Sequence, residues 1–376
     1  MKISALIAEF NPFHAGHKLL IDSMRRESDS VIAIMSGNFV QRGECSIYSK
    51  AERAKAALNN GVDLVLELPA VFALSSAEGF ARGAVKTLDA CNVVDNLWFG
   101  SECGDIDALS YLADILNKET PAFRKTLDKK LSTGASFPVA RTYALREMGA
   151  DSKILESPNN ILAVEYIRAL KAIRSDITPV TIKRMGTGYN EKFCSGEIPS
   201  ASFIRSLIES GEDADKYMLN KYETSPLFMK NFDAFIALRL KTASFEELSL
   251  IPDCNEELAV RLKKASVFNT FDEIVSEVST RRYTQSRIRR ILCNLLINNH
   301  FKTAPAPTYI RPLGFNKNGS RILKAMKKTA SLPIETRGGA IKDDDIFLLE
   351  CRSSDVYNLA HGAKGGEEFR FSPIKM

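Results

Sequence analysis

The chain has 376 residues, 45% hydrophobic and 26% charged, with a net charge of +5, which excludes a disordered or fibrous protein and leaves room for about two domains. No run of eighteen apolar residues occurs, so a transmembrane helix is excluded, and the first residues enter a strand with no signal-peptide pattern. Cys45, Cys91, Cys103, Cys194, Cys254, Cys293 and Cys351 are scattered without a Cys-x-x-Cys pair, which points to reduced thiols in a cytoplasmic protein and away from disulfides or a zinc site.

Over the first 110 residues short apolar runs alternate with amphipathic stretches. Strands are predicted at Ile3–Ala8, Val31–Met35, Val62–Leu68 and Val93–Phe99, and helices at His17–Arg25, Lys50–Asn59, Ser76–Leu88 and Ile106–Leu116. This alternation specifies a parallel sheet with βαβ crossovers, in which ligands bind outside the carboxyl ends of the strands. Four segments therefore converge on one edge.

The first is Ile7-Ala8-Glu9-Phe10-Asn11-Pro12-Phe13-His14-Ala15-Gly16-His17-Lys18-Leu19-Leu20. It turns through Asn11-Pro12 and opens a helix with His14 and His17 three residues apart, on one face. Two imidazoles beside unpaired backbone N–H groups, at the positive end of the helix dipole, form a receptor for polyphosphate. Gly16 allows close approach to the backbone. No further ligands follow at short spacing, so no metal site is expected. The second segment, Ser36 to Glu44, is polar, with two glycines and Arg42; it is expected to be a mobile loop that closes on substrate, Arg42 meeting a phosphate. The others are Glu67-Leu68-Pro69 and Gly100-Ser101-Glu102, where Gly100 leaves room for a purine or ribose.

Residues 119–150 read as helices without assigned chemistry. Ser157 or Asn159 can cap the next helix, with Pro158 in its first turn, which leaves Asn160 to face the site. A strand at Thr178–Ile182 ends in Lys183-Arg184-Met185-Gly186, placed to meet phosphates or a base edge. In Ile198-Pro199-Ser200-Ala201-Ser202-Phe203-Ile204-Arg205 the serines cap a helix and offer hydroxyls to phosphate, and Arg205 reaches the same anion.

From Asp213 to His300 the pattern is almost purely helical, with Phe232, Phe235, Ile236, Leu238 and Leu240 at helical spacing. Arg281 to Ala330 contains twelve Lys or Arg and no acid, a basic face suited to nucleic acid. Arg287 and Arg290 are expected to lie off the apolar stripe of a helix reaching about Asn298. A small α/β tail follows, with extended segments at Tyr309–Leu313 and Leu332–Thr336, helices at Ser320–Thr329 and Asp344–Leu359, and a frayed stretch at Lys364-Gly365-Gly366.

Taken in order, the segments Glu9 to His17, Met35 to Glu44, Val62 to Pro69, Phe99 to Glu102, Pro158 to Leu162, Ser200 to Arg205 and Thr280 to Thr284 give the chain a nearly full-length resemblance to the bacterial tRNA(Met) cytidine acetate ligases, HIGH-type nucleotidyltransferases. The expected fold is α/β: an N-terminal Rossmann-like parallel-sheet catalytic domain (1–210), a helical tRNA-binding region (211–303) and a small basic α/β segment (304–376). The resemblance implies ATP as substrate and free acetate activated as acetyl-adenylate; Mg²⁺ is expected to accompany the ATP, without an acidic metal motif in the chain. The acetyl group would pass to the wobble cytidine of elongator tRNA(Met), giving N4-acetylcytidine. The implied ATP set is Ile7 to Leu20, Gly100, Asn160 and Arg184. His14, His17, Ser202 and Arg205 are the expected catalytic residues, and Arg281, Arg282, Arg287 and Arg290 the expected RNA contacts. No protein partner is expected. The alternative reading is a small-molecule nucleotidyltransferase of the same superfamily, adenylyl- or cytidylyl-transferring.

Overall fold

The computed structural model describes residues 1–184 and 199–376. Met185, Gly186, Cys194 and Ile198, singled out above, lie outside the described residues. The strands are β1 Ile3–Ala8, β2 Ser30–Ser36, β3 Phe39–Val40, β4 Glu44–Cys45, β5 Leu64–Leu68, β6 Asn96–Ser101, β7 Thr178–Lys183, β8 Pro312–Phe315 and β9 Ile374–Lys375. Seven form one sheet in the order β7-β6-β1-β2-β5-β8-β9. The five strands from β7 to β5 run parallel; β8 is antiparallel to β5, and β9 is parallel to β8. Strand order reverses at β1, which pairs Ile7 with Ile34 of β2 on one side and Leu6 with Trp98 of β6 on the other. That reversal is where an open parallel sheet offers a crevice to ligands.

The helices are α1 Ala15–Glu27, α2 Lys50–Asn59, α3 Ala70–Ala73, α4 Ala77–Ala90, α5 Ile106–Lys118, α6 Pro121–Leu131, α7 Phe137–Glu147, α8 Pro158–Ile173, α9 Ala201–Ser210, α10 Asp233–Thr242, α11 Phe245–Leu250, α12 Glu256–Lys264, α13 Phe271–Val278, α14 Gln285–Leu296, α15 Lys317–Thr329, α16 Asp345–Ala360 and α17 Glu367–Arg370. All seven residues of β2 are buried, as covering on both faces requires. One face packs Leu6, Val31 and Val65 against Ile21, Met24 and Ala57 of α1 and α2. The other packs Ile32, Ile34 and Leu66 into a core shared with α4, α8 and the helical region, including Phe232, Leu262 and Leu292. No helix of the described residues is long and apolar enough to cross a membrane.

The structure corrects several expectations. Residues 304–376 are not a separate tail, because β8 and β9 extend the main sheet. Their attachment is sealed by a buried ion cluster. Lys50 pairs with Glu67, with Glu350 at 3.0 Å and with Glu368 at 2.6 Å, while Arg311 reaches Glu67 at 3.3 Å and Glu368 at 2.5 Å. Glu67 is thus committed to the interior and does not line the ligand edge. The stretch around Gly366 is not frayed: Gly366 N–H donates to Asp355 at 2.6 Å and Glu368 is buried. The Ser36–Glu44 segment is not a mobile loop. Phe39 and Val40 are buried, β3 and β4 form a hairpin, and Gly43, at φ +75°, lies directly against the backbone of Arg289 and Arg290. Finally, residues 213–232 are an irregular strap. Met218 bridges to His14, Leu227 N–H donates to the Ile47 carbonyl at 2.9 Å, and Tyr222 stacks on Tyr48 with centroids 3.8 Å apart. Within α10, Leu238 points to solvent.

Candidate active site

The opening motif leaves the carboxyl end of β1 through Phe10, a non-glycine residue held at φ +48°, the kind of backbone strain that surrounding packing must over-determine. Phe10 and Phe13 are fully buried, and their rings lie 5.0 and 5.5 Å from that of His17. The Tyr222 hydroxyl accepts from Phe13 N–H at 3.1 Å, so the strap holds the motif from outside.

His14 is the N-cap of α1. Its Nδ1 accepts from Gly16 N–H at 3.0 Å, and His17 Nδ1 accepts from His14 N–H at 3.2 Å. The imidazoles therefore occupy some of the backbone donors that the sequence suggested were open to an anion. An Nδ1 that accepts a hydrogen bond carries no proton, so in each neutral ring the proton sits on Nε2. Protonating Nδ1 would oppose one N–H to another. Burial, with the Arg184 and Arg205 charges, lowers the His14 pKa to about 3, and burial, with His14 and Arg184, holds His17 well below its ordinary value. The pair offers two neutral, preoriented Nε2–H donors.

Arg205 arrives from α9. Ser200 caps that helix, accepting from Phe203 N–H at 3.2 Å, and Ser200 Oγ lies 3.0 Å from Ser202 Oγ. Arg205 Nη1 donates to the Asn11 carbonyl at 2.9 Å, and Nη2 lies 3.5 Å from Glu44, which also pairs with Arg289 of α14 at 2.8 Å. The two motifs, nearly two hundred residues apart in sequence, meet directly.

Arg184 follows the end of β7, its N–H on the Ser101 carbonyl at 2.9 Å. Its side chain lies over Gly100: a Cβ there would sit 3.0 Å from Arg184 Cγ. Gly100 thus makes room for the arginine stem, which joins both residues to the crevice beside β1. The Asn160 side chain holds the neighbouring backbone. Its Oδ1 accepts from Glu102 N–H at 2.8 Å and Cys103 N–H at 3.2 Å, and its Nδ2 donates to the Ile154 carbonyl at 2.9 Å. Asn159 donates to Glu102 at 2.6 Å. Both asparagines fix the turn after β6. Of the remaining predicted positions, Ile7 and Ala8 close β1, Ala15 and Gly16 form the first turn of α1, Lys18 pairs with Asp22, Leu19 is exposed, and Leu20 packs into the core.

Sequence reasoning missed Arg53, fully buried on α2. It donates to the carbonyls of Glu9 at 2.5 Å, Ser36 at 3.2 Å, Tyr48 at 3.0 Å and Gly37, bolting together the carboxyl ends of β1 and β2. A lone arginine within the alanine-rich run of α2 was its signal. Gln41 N–H donates to Glu9 Oε1 at 2.7 Å. Burial pushes the Glu9 carboxyl up, opposed by that hydrogen bond and by Arg42, Arg205 and Arg53. Among the described residues no three His, Cys, Asp or Glu side chains group to hold a metal.

The expected RNA arginines fare unevenly. Arg290 is buried, 8% exposed, with Asp253 at 3.9 Å, so it is not a surface contact. Arg287 donates to the Asp253 carbonyl at 2.6 Å. Arg282 is exposed but pairs with Glu257 at 3.2 Å, and Arg281 is exposed. Acids distant in sequence neutralise Arg282, Arg289 and Arg290 within that window.

A family model described as HIGH Nucleotidyl Transferase matches residues 1–369. A tRNA(Met) cytidine acetate ligase of Thermoanaerobacter sp. (strain X514) is 40% identical, covering 96% of each chain. One of Clostridium perfringens (strain ATCC 13124) is 38% identical, covering 100% of this chain and 99% of its own. The crystal structure of Thermotoga maritima TmcAL in its apo form superposes with a TM-score of 0.94 at 33% identity over the whole of both chains, and the form bound to alpha-thio ATP with a TM-score of 0.90 at 32% identity. With the histidine-capped α1 and the seven-stranded sheet, this full-length agreement shows that the chain belongs to the tRNA(Met) cytidine acetate ligase family of HIGH nucleotidyl transferases.

Proposed function

We propose that this protein is a cytoplasmic ATP-dependent ligase that joins free acetate to N4 of the wobble cytidine of elongator tRNA(Met). The observation that carries the reading is the junction of the capped histidine pair with Arg205 at the β1 edge. In the first step an acetate oxygen attacks the α-phosphorus of ATP, pyrophosphate leaves, and acetyl-adenylate forms. Negative charge builds on the phosphoryl oxygens and the leaving group. The Nε2–H groups of His14 and His17, Arg205 and the Ser202 hydroxyl supply donors there, and one preorganised donor contributes about 3–4 kcal/mol. Arg184 over Gly100 forms the wall for base and ribose. Any Mg²⁺ would enter on the triphosphate oxygens, since the described residues offer no carboxylate cage.

In the second step N4 attacks the acetyl carbonyl, AMP leaves, and N4 loses a proton. The anticodon base must leave its stack to reach the edge, and positioning beside a reactive mixed anhydride supplies most of the catalysis. The test is incubation with labelled acetate, ATP and elongator tRNA(Met), followed by nucleoside analysis. Acetylcytidine with one AMP per acetyl group is expected. A nucleotidyl product formed without RNA would replace this reading with a small-molecule nucleotidyltransferase.

A further inference from the structure

The acid-poor stretch yields two basic helices, and they use their charges differently. On α14 the arginines are spent inside the protein: Arg289 on Glu44 and Asp272, Arg290 on Asp253, Arg287 on the Asp253 carbonyl. On α15, Ile322, Leu323 and Met326 are buried, whereas Lys317, Arg321, Lys324, Lys327 and Lys328 are all exposed. None of these five pairs with an acid among the described residues; Arg321 has only Asn318, at 3.5 Å. Lys317, Arg321, Lys324 and Lys328 follow the three- and four-residue steps that keep side chains on one helical face.

Helix stability accounts for only part of this pattern. Lys327 and Lys328 occupy the last turn, where cations favour the dipole, but Lys317 is the first helical residue, where a cation is unfavourable. The N-cap Asn316 already serves the helix N-terminus through Asn318 and Gly319. A cation kept at the wrong end of the dipole points to an outside anion.

The place of α15 identifies that anion. Asn316 N–H donates to the Asp63 carbonyl at 3.0 Å, just before β5, and Ser331 N–H donates to the Ala90 carbonyl at 2.9 Å, ahead of β6. The helix therefore spans the amino ends of the strands, opposite the histidines. The six residues of β1 separate the two ends by about 20 Å. An anion bound there lies too far off to belong to the reacting nucleotide or to ATP. We infer that the outer face of α15 is a docking surface for the phosphate backbone of a structured RNA, engaging a helical arm remote from the base held at the β1 edge. The identity of that RNA as the substrate tRNA rests on the function proposed above.

The test is a quadruple variant, Lys317→Gln, Arg321→Gln, Lys324→Gln and Lys328→Gln, beside Lys317→Arg, Lys324→Arg and Lys328→Arg, which keeps the charge. Acetate-dependent exchange of pyrophosphate into ATP should be unchanged in both, which also shows that the site is folded. In the neutral variant the KM for tRNA should rise about ten- to a hundred-fold, and the slope of log binding against log salt should flatten by about 3, from four lost contacts. The arginine variant should retain wild-type values. An unchanged KM and slope would overturn the surface. If the wild type makes no acetylcytidine, the functional reading fails separately, and the surface is judged on direct RNA binding alone: equal salt slopes, or no RNA binding by the wild type, overturn it. Loss of binding to anionic phospholipid vesicles with RNA binding intact would also overturn it.

Discussion

The β1 edge and the outer face of α15 are both suited to phosphate, by opposite physical means. At the edge the donors are buried or half-buried, neutral at the histidines, and aimed by packing and, for the histidines, by hydrogen bonds to the α1 backbone. On α15 they are full charges on flexible, solvated stems. Buried dipoles recognise one geometry and are poorly screened; exposed ammonium groups attract any polyanion and weaken with salt. The difference separates chemistry from capture, and experiments can try to break that separation.

The largest effect is expected at the edge. His17→Ala should lower acetate-dependent pyrophosphate exchange about 10²- to 10³-fold while tRNA still binds; equal loss of both would erase the distinction. Arg205→Lys should come next. A lysine cannot hold the Asn11 carbonyl with one nitrogen and face Glu44 and an anion with another, so kcat for adenylation should fall more than tenfold, with a smaller change in KM for ATP. Raising salt from about 50 to 200 mM should increase the KM for tRNA by orders of magnitude and leave the KM for ATP nearly constant. Parallel salt curves would contradict the comparison.

Two subtler outcomes sharpen it. His14 has its pKa lowered to about 3 against 6.5, so the unfolded chain takes up its proton first. Its contribution to stability is complete above pH 6.5 and is lost as pH falls toward 3. Adenylation should therefore show no histidine ionisation between about pH 6 and 8, and denaturant unfolding should show stability falling on acidification. A rate limb near pH 6.5 would mean that a histidine is charged in the working enzyme. The smallest effect is expected on the pair before α14: Arg281→Ala with Arg282→Ala should raise the KM for tRNA less than the α15 variant, because Glu257 already satisfies Arg282.

The parts that local rules control were legible in the sequence. Strand–helix alternation over the first 110 residues, the histidines at the opening of α1 and the serine cap of α9 all depend on neighbours within a few positions. What depended on distant partners was not legible. An extended segment is expected at Tyr309–Leu313, but nothing local in β8 shows that it pairs with a strand about 250 residues away and so joins the main sheet. Glu44 shields Arg289 from 245 residues away. The hold of Asn160 on Glu102, Cys103 and Ile154 spans up to 58 residues and has no local signature. The tautomer of the two histidines was not legible either, because it is set by which nitrogen meets a backbone N–H.

The ion cluster that joins Lys50, Glu67, Arg311, Glu350 and Glu368 also bears on when activity can appear during synthesis. Two of its carboxylates come from α16 and α17, and the neighbouring strand β9 reaches residue 375. A nascent chain that has already displayed the histidine motif holds Lys50 and Glu67 as a pair, but still lacks Arg311, Glu350 and Glu368, which complete the cluster and shut it away from water. The sheet would therefore close last at the strands farthest from β1. A ribosome-bound intermediate, even with the nucleotide motif long emerged, should remain protease-sensitive around β5 until the last hundred residues are free to fold back.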